Sequence, residues 1–283
     1  MITAIVGAHA STCHVPGWRR LYRAGLYLGH ELRAIPFSVE PRLLKLAQPR
    51  ALKHLRAQIA DPVLRARLTP DYVLGCKRIL VSNDYYPALV RPNVQLVTDG
   101  IRAITRDGIV TDDGTERKLD AIIFGTGFAV HDYLGGMQVR GRGGEELGAR
   151  WRVEPEAYLG TMVDGFPNLF TLVGPNTGLG HSSMILMIEA QERLVVSCLQ
   201  TMRARGLALV EPRPDVLRAY NDELQRRMAK TVWATGCKSW YLDARGRNTT
   251  VWPGFTLEFA ARTRRFDPGH YILHRDDVES SAR

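Results

Sequence analysis

Phe166-Pro-Asn-Leu-Phe-Thr-Leu-Val-Gly-Pro-Asn-Thr-Gly-Leu-Gly-His-Ser-Ser183 is the stretch on which the reading of this chain turns. Residues 169–173 form a short apolar run suited to a buried parallel strand. Gly174-Pro175-Asn176 ends that run, Gly178 and Gly180 allow close backbone approach, and Ser182 or Ser183 can cap the helix that follows. A strand, a glycine turn and a helix N-terminus offer free N–H groups and the positive end of a dipole, which suits an anionic or electron-rich ligand group. The same pattern also describes an ordinary strand-to-helix turn, so the choice falls to the rest of the chain.

Composition narrows the classes. The 283 residues are enough for one large domain or two modest ones, and 45% hydrophobic with 24% charged residues is ordinary for a globular protein. The helix starting near Ser182 is interrupted by Glu189, Gln191, Glu192 and Arg193, so no membrane span is expected. Residues 1–10 lack a basic leader, and a cytoplasmic location is expected. The net charge is +9, with 32 Arg against 6 Lys, but the arginines are scattered and no nucleic-acid motif accompanies them. Cys13, Cys76, Cys198 and Cys237 are widely spaced, which predicts four reduced thiols and no metal site.

Along the chain, residues 18–68 read as helices broken at Pro36, Pro41, Pro49 and Pro62. Residues 79–81, 94–97 and 101–104 are strand candidates, and 109–119 reads as a hairpin around Asp112-Asp113-Gly114. Residues 120–124 form a further apolar strand ending in Gly125-Thr126-Gly127-Phe128, and 140–148 is a glycine-rich loop. A helix is expected over 215–230, and Trp233, Trp240, Tyr241, Trp252 and Phe255 fall on loops.

Four collinear blocks then point one way. Asp120-Ala-Ile-Ile-Phe-Gly-Thr-Gly-Phe128 resembles the D-x-[IV]-[IV]-x-A-T-G-F signature of flavin-containing monooxygenases, with Gly125 in place of alanine. Residues 68–87, 166–191 and 236–253 resemble the Baeyer–Villiger branch of that superfamily. The family's two G-x-G-x-x-G loops and its F-x-G-x-x-x-H-x-x-x-W-P fingerprint do not occur here, and Val6-Gly7-Ala8-His9-Ala10-Ser11 matches a dinucleotide loop only loosely. The resemblance implies an α/β fold: an incomplete architecture of two dinucleotide-binding, Rossmann-like domains (for FAD and NAD(P)) with a helical insertion. Residues 1–130 would end the NADPH domain, 131–160 would link, and 161–283 would return into the FAD domain and add a tail over the cofactor.

The resemblance also implies roles. NADPH would reduce FAD, and O2 would give a flavin peroxide that attacks a ketone, or oxidises an amine or sulfide. Arg78 matches the family's active-site arginine, a permanently charged donor fit to stabilise that peroxide and the tetrahedral intermediate. Lys77 matches a lysine facing the NADPH 2′-phosphate, and Trp240 a tryptophan packing over the nicotinamide. Thr126, Gly127 and Phe128 would lie where the two dinucleotide domains meet, and Asn176, Thr177 and Gly178 beside the flavin. Without the resemblance, Lys77-Arg78 reads as a solvated cation pair, Trp240 as a core aromatic and residues 126–128 as a tight strand exit. His181, Asp84, Tyr85 and Tyr86 adjoin these motifs, and Cys76 and Cys237 are read as structural. A partner supplying the N-terminal half is one implied possibility, and a non-catalytic binding module is the alternative.

Overall fold

The computed structural model describes residues 17–243 and 245–275; the likeness at 6–11 and Cys13 lie outside them. The elements run in the order α1 (Trp18–Ala34), a π-helical turn (Ile35–Val39), α2 (Arg42–Gln58), α3 (Pro62–Leu68), α4 (Tyr85–Leu89), β1 (Ile101–Ile104), β2 (Gly108–Thr111) and β3 (Glu116–Lys118). Then follow α5 (Leu147–Val153), α6 (Met184–Arg205), β4 (Leu207–Pro212), α7 (Pro214–Met228), α8 (Thr256–Arg262) and β5 (Tyr271–Arg275). The chain is thus α/β, and it divides into two units. One holds the described residues of Met1–Lys45, Val73–Arg78 and Val130–Arg283; the other holds Leu46–Tyr72 and Ile79–Ala129.

In the first unit α6 sets the frame. Ser183 caps it by accepting from the Ile185 N–H at 3.3 Å, and Gly206, at φ 61°, turns the chain out of its last carbonyls. Met187, Ala190, Leu194 and Cys198 recur at helical spacing on its buried face, with Gln191 among them. That face packs into a core with Leu217, Tyr220 and Leu224 of α7, Trp252 and Phe259. Beyond Gly206 the chain enters β4, which pairs antiparallel with β5 from Leu207↔Arg275 to Pro212↔Tyr271. A second cluster gathers Trp233 and Tyr241 with Leu44, Cys76 and Val251, and a third gathers Trp151 with Leu147, Val163 and Phe166.

In the second unit an antiparallel meander runs β1-β2-β3. The expected hairpin is present: Gly114 turns at φ 82°, and Asp113 accepts from the Thr115 N–H and the Thr111 hydroxyl.

Several expectations fail for a shared reason. Residues 79–81, 94–97, 120–124 and 169–173 pair with no strand among the described residues, although their composition suits strands. A strand is completed by hydrogen bonds to its neighbours, and a parallel strand takes them from distant sequence. Pro49 does not break α2, which runs through it. The strands β4 and β5 and the helix α8 fall where loops or nothing had been expected. The expectation of four reduced thiols also fails, because Cys76 and Cys237 form a disulfide across 161 residues of sequence. No helix among the described residues is long and apolar enough to cross a membrane.

Candidate functional site

The glycine turn is held from within. Asn176 sits at φ 56°, a left-handed conformation that asparagine tolerates. Its side-chain amide donates to the carbonyls of Asn248 (2.8 Å) and Val251 (3.0 Å), and its backbone N–H to Thr249 (2.7 Å). The Gly178 N–H donates to Thr250, and the Trp252 N–H donates back to Gly178. Thr177, fully buried, donates its hydroxyl to the Gly174 carbonyl at 2.6 Å. A Cβ at Gly178 would stand 2.7 Å from the Thr250 carbonyl oxygen, so this glycine admits a neighbouring chain.

Two residues that sequence reasoning left aside complete the turn. Gln191, fully buried, donates to the Gly160 carbonyl at 2.8 Å and the Thr161 hydroxyl at 3.0 Å, and accepts from the Val173 N–H at 3.0 Å. Its signal was in plain view: a polar residue on the apolar face of a capped helix. His181 is buried at the turn's exit with both ring nitrogens unpartnered among the described residues, and burial holds its imidazole below the usual range.

Arg78 reaches this turn. Its Nη1 donates to the Leu179 carbonyl at 3.4 Å, and its guanidinium lies against the Tyr241 hydroxyl, partly opposing the rise that burial imposes on that phenol. Tyr241 is buried and stacks on the half-exposed Trp240, ring centroids 4.2 Å apart. Lys77 is partly buried between Arg78 and the disulfide at Cys76. The structure therefore brings Arg78, Lys77, Trp240 and the turn of Asn176, Thr177 and Gly178 into one unit. Thr126, Gly127 and Phe128 belong to the other unit, all exposed, with Gly127 at φ 87°. Asp84 opens α4, where Tyr86 packs on Tyr85 and His54. Among the described residues no group of His, Cys, Asp and Glu could hold a metal ion.

Chemically, the arrangement offers a cation held by a carbonyl and a phenol, a half-exposed indole packed on that phenol, and a buried imidazole. The backbone of this chain is similar to solved structures of monooxygenases bound to NADP. A steroid monooxygenase bound to NADP matches 85% of this chain and 47% of its own at 29% identity (TM-score 0.73). OTEMO in complex with FAD and NADP matches 84% and 46% at 28% identity (TM-score 0.76). The curated relatives narrow the class. A Baeyer–Villiger monooxygenase of Pseudomonas aeruginosa is 51% identical over 90% of this chain and 49% of its own length, and one of Streptomyces coelicolor is 47% identical over 92% and 51%. No protein-family model matches the chain. The chain is thus a relative of the Baeyer–Villiger monooxygenases, spanning about half the length of the curated relatives it matches.

Proposed function

We propose that this chain carries the arginine-bearing portion of an FAD- and NADPH-dependent monooxygenase that inserts one O2-derived oxygen beside a ketone. The placement of Arg78 carries the reading: a permanent cation tied to the glycine turn through Leu179 and to the aromatic pair Trp240–Tyr241. On this reading residues 1–130 complete the NADPH-binding domain, 131–160 link, and 161–283 contribute to the FAD-binding domain, an incomplete Rossmann-like pair.

The residues present fit part of a cofactor site. The orphaned imidazole of His181 lies at the exit of the turn that Arg78 reaches, the half-exposed Trp240 packs on Tyr241 beside Arg78, and their chemistry suits a planar, electron-rich ring. FAD and NADPH would supply hydride transfer and oxygen activation there. Arg78 lowers the cost of negative charge on the reacting oxygen, because its guanidinium stays charged and is already oriented. With NADPH bound, Trp240 would cover the nicotinamide and exclude water, and Lys77 would pair with the 2′-phosphate. Asn176, Thr177 and Gly178 hold the turn's backbone beside the flavin, while Thr126, Gly127 and Phe128 serve from the other unit.

The apolar runs at 79–81 and 122–124 support one further element of the reading. Val81 and Ile123, both 95% exposed, are strand-forming residues in want of a sheet. They would pair with strands from a half that carries the two glycine-rich phosphate loops, on the same polypeptide or another. The test is a flavin and NADPH titration of this chain, alone and mixed with the half of the Pseudomonas aeruginosa relative that it does not match. Saturable flavin uptake and ketone-dependent NADPH oxidation in the mixture alone support the reading. Failure in the mixture, with the chain remaining a monodisperse monomer, favours a non-catalytic binding module.

A further inference from the structure

We infer that the Cys76–Cys237 disulfide is a reversible latch that fastens the Trp240 segment to the Arg78 segment. Two turns bring the sulfurs together. Gly75 and Gly236 immediately precede the two cysteines at φ 89° and 91°, conformations that favour glycine. At Gly75 any side chain would also meet Leu44 and Phe37, with a Cβ 2.9 Å from the first and 3.1 Å from the second. The backbone is thus shaped at both ends to aim one sulfur at the other, with the Cα atoms 6.3 Å apart.

The location gives the bond its consequence. Cys76 lies two residues before Arg78, and Cys237 lies three before Trp240 and four before Tyr241. The two segments also meet where Tyr241 packs with Cys76 in the core cluster and where the exposed Arg78 guanidinium approaches the Tyr241 hydroxyl. Around Cys237, residues 234–236, Lys238 and Trp240 are all exposed, so between the buried anchors Trp233 and Tyr241 the disulfide is what pins the middle of the stretch. Oxidised, the bond holds Trp240 at the arginine; reduced, the stretch is released.

The asymmetry of burial sets the chemistry. Cys76 is fully buried in the cluster with Trp233 and Tyr241, whereas Cys237 is partly exposed. A thiolate of an external dithiol therefore attacks the Cys237 sulfur, and Cys76 leaves as a thiolate that takes up a proton. The second thiol of the reductant then closes its own disulfide and frees Cys237, so the reductant loses two electrons and the chain gains two. Oxidation runs with hydrogen peroxide, two thiols and one peroxide giving the disulfide and two waters.

The test needs no cofactor, so it fails independently of the function proposed above, on which only the consequence for Arg78 and Trp240 rests. The chain is purified without reductant, treated with equimolar hydrogen peroxide, denatured and labelled with a maleimide. Two of its four cysteines should label, and all four after a dithiol; C237S should label at three in both states. In the native protein, tryptic cleavage after Lys238 should rise roughly tenfold on reduction. C76S and C237S should cleave at the fast rate with or without reductant. If either variant fails to fold, the wild-type comparison stands by itself. Four labelled thiols after peroxide, or a disulfide whose reduction leaves cleavage at Lys238 unchanged, would overturn the latch.

Discussion

The two units treat similar sequence in opposite ways. Around Gly174 the chain answers its own polar groups: Asn176, Thr177 and Gln191 are buried, and each bonds to backbone between 2.6 and 3.0 Å away. At 79–81 and 120–128 the apolar residues are as abundant, yet Leu80, Val81, Ile123 and Phe128 stand in solvent. The difference lies in where partners come from. The glycine turn leans on residues 248–252 of the same unit, whereas strand-like runs need neighbouring strands that the described residues do not provide. Burial of a polar network thus marks a region complete in itself, and exposure of β-branched residues marks an edge awaiting cover.

Breaking the disulfide should have the largest effect on stability. For a loop of 161 residues, C76S should cost up to about 5 kcal/mol in chain entropy, read as a lower urea midpoint under oxidising conditions. Next stands Gln191→Ala, which removes a fully buried side chain and its hydrogen bonds to the Val173 N–H, the Gly160 carbonyl and the Thr161 hydroxyl; about 3 kcal/mol is expected, lowering Tm by roughly 8 °C. Ser183→Ala removes one helix cap and should cost about 1 kcal/mol in the same melts. At the other extreme, Ile123→Thr should leave the chain's own stability within about 0.5 kcal/mol, because its side chain touches little. The same change should weaken association with the N-terminal half of a relative, measured by sedimentation. A large loss of intrinsic stability there would erase the contrast between the units.

Proton linkage sharpens the same contrast. Glu156, in the first unit, is pushed up to about 7, chiefly by burial and then by Glu154. Its folded form holds a proton more tightly than the unfolded chain, so its contribution is present below the ordinary carboxylate range and is lost as pH rises through about 7. Urea midpoints of the wild type should therefore fall relative to Glu156→Gln between pH 5 and pH 8. Asp113 in the meander is held well below its usual range by the Thr111 hydroxyl, so it should add no slope across that interval.

Much of this was legible from local chemistry. The cap at Ser183, the helix behind it and the Asp113–Gly114 hairpin follow from a few adjacent residues, and the structure has them. The family likeness was legible from four blocks, and the relatives bear it out. What stayed hidden depends on distance. Cys76 and Cys237 meet across 161 residues, and no spacing rule announces a pair so far apart. The strands β4 and β5 lie far apart in sequence, and their mixed polarity (Glu211 and Pro212 in one, His274 and Arg275 in the other) masks the alternation of a strand. Residues 79–81 and 120–124 misled in the other direction, because strand composition states a preference and pairing decides the outcome.

The central claim is that Arg78 stabilises the reacting oxygen. Ester formation from a ketone should be measured in the mixture with the complementary half, comparing wild type with Arg78→Ala at equal flavin content. The account predicts that ester formation falls by about 10²- to 10³-fold while bound flavin is unchanged. Ester formed at the wild-type rate by Arg78→Ala would contradict it.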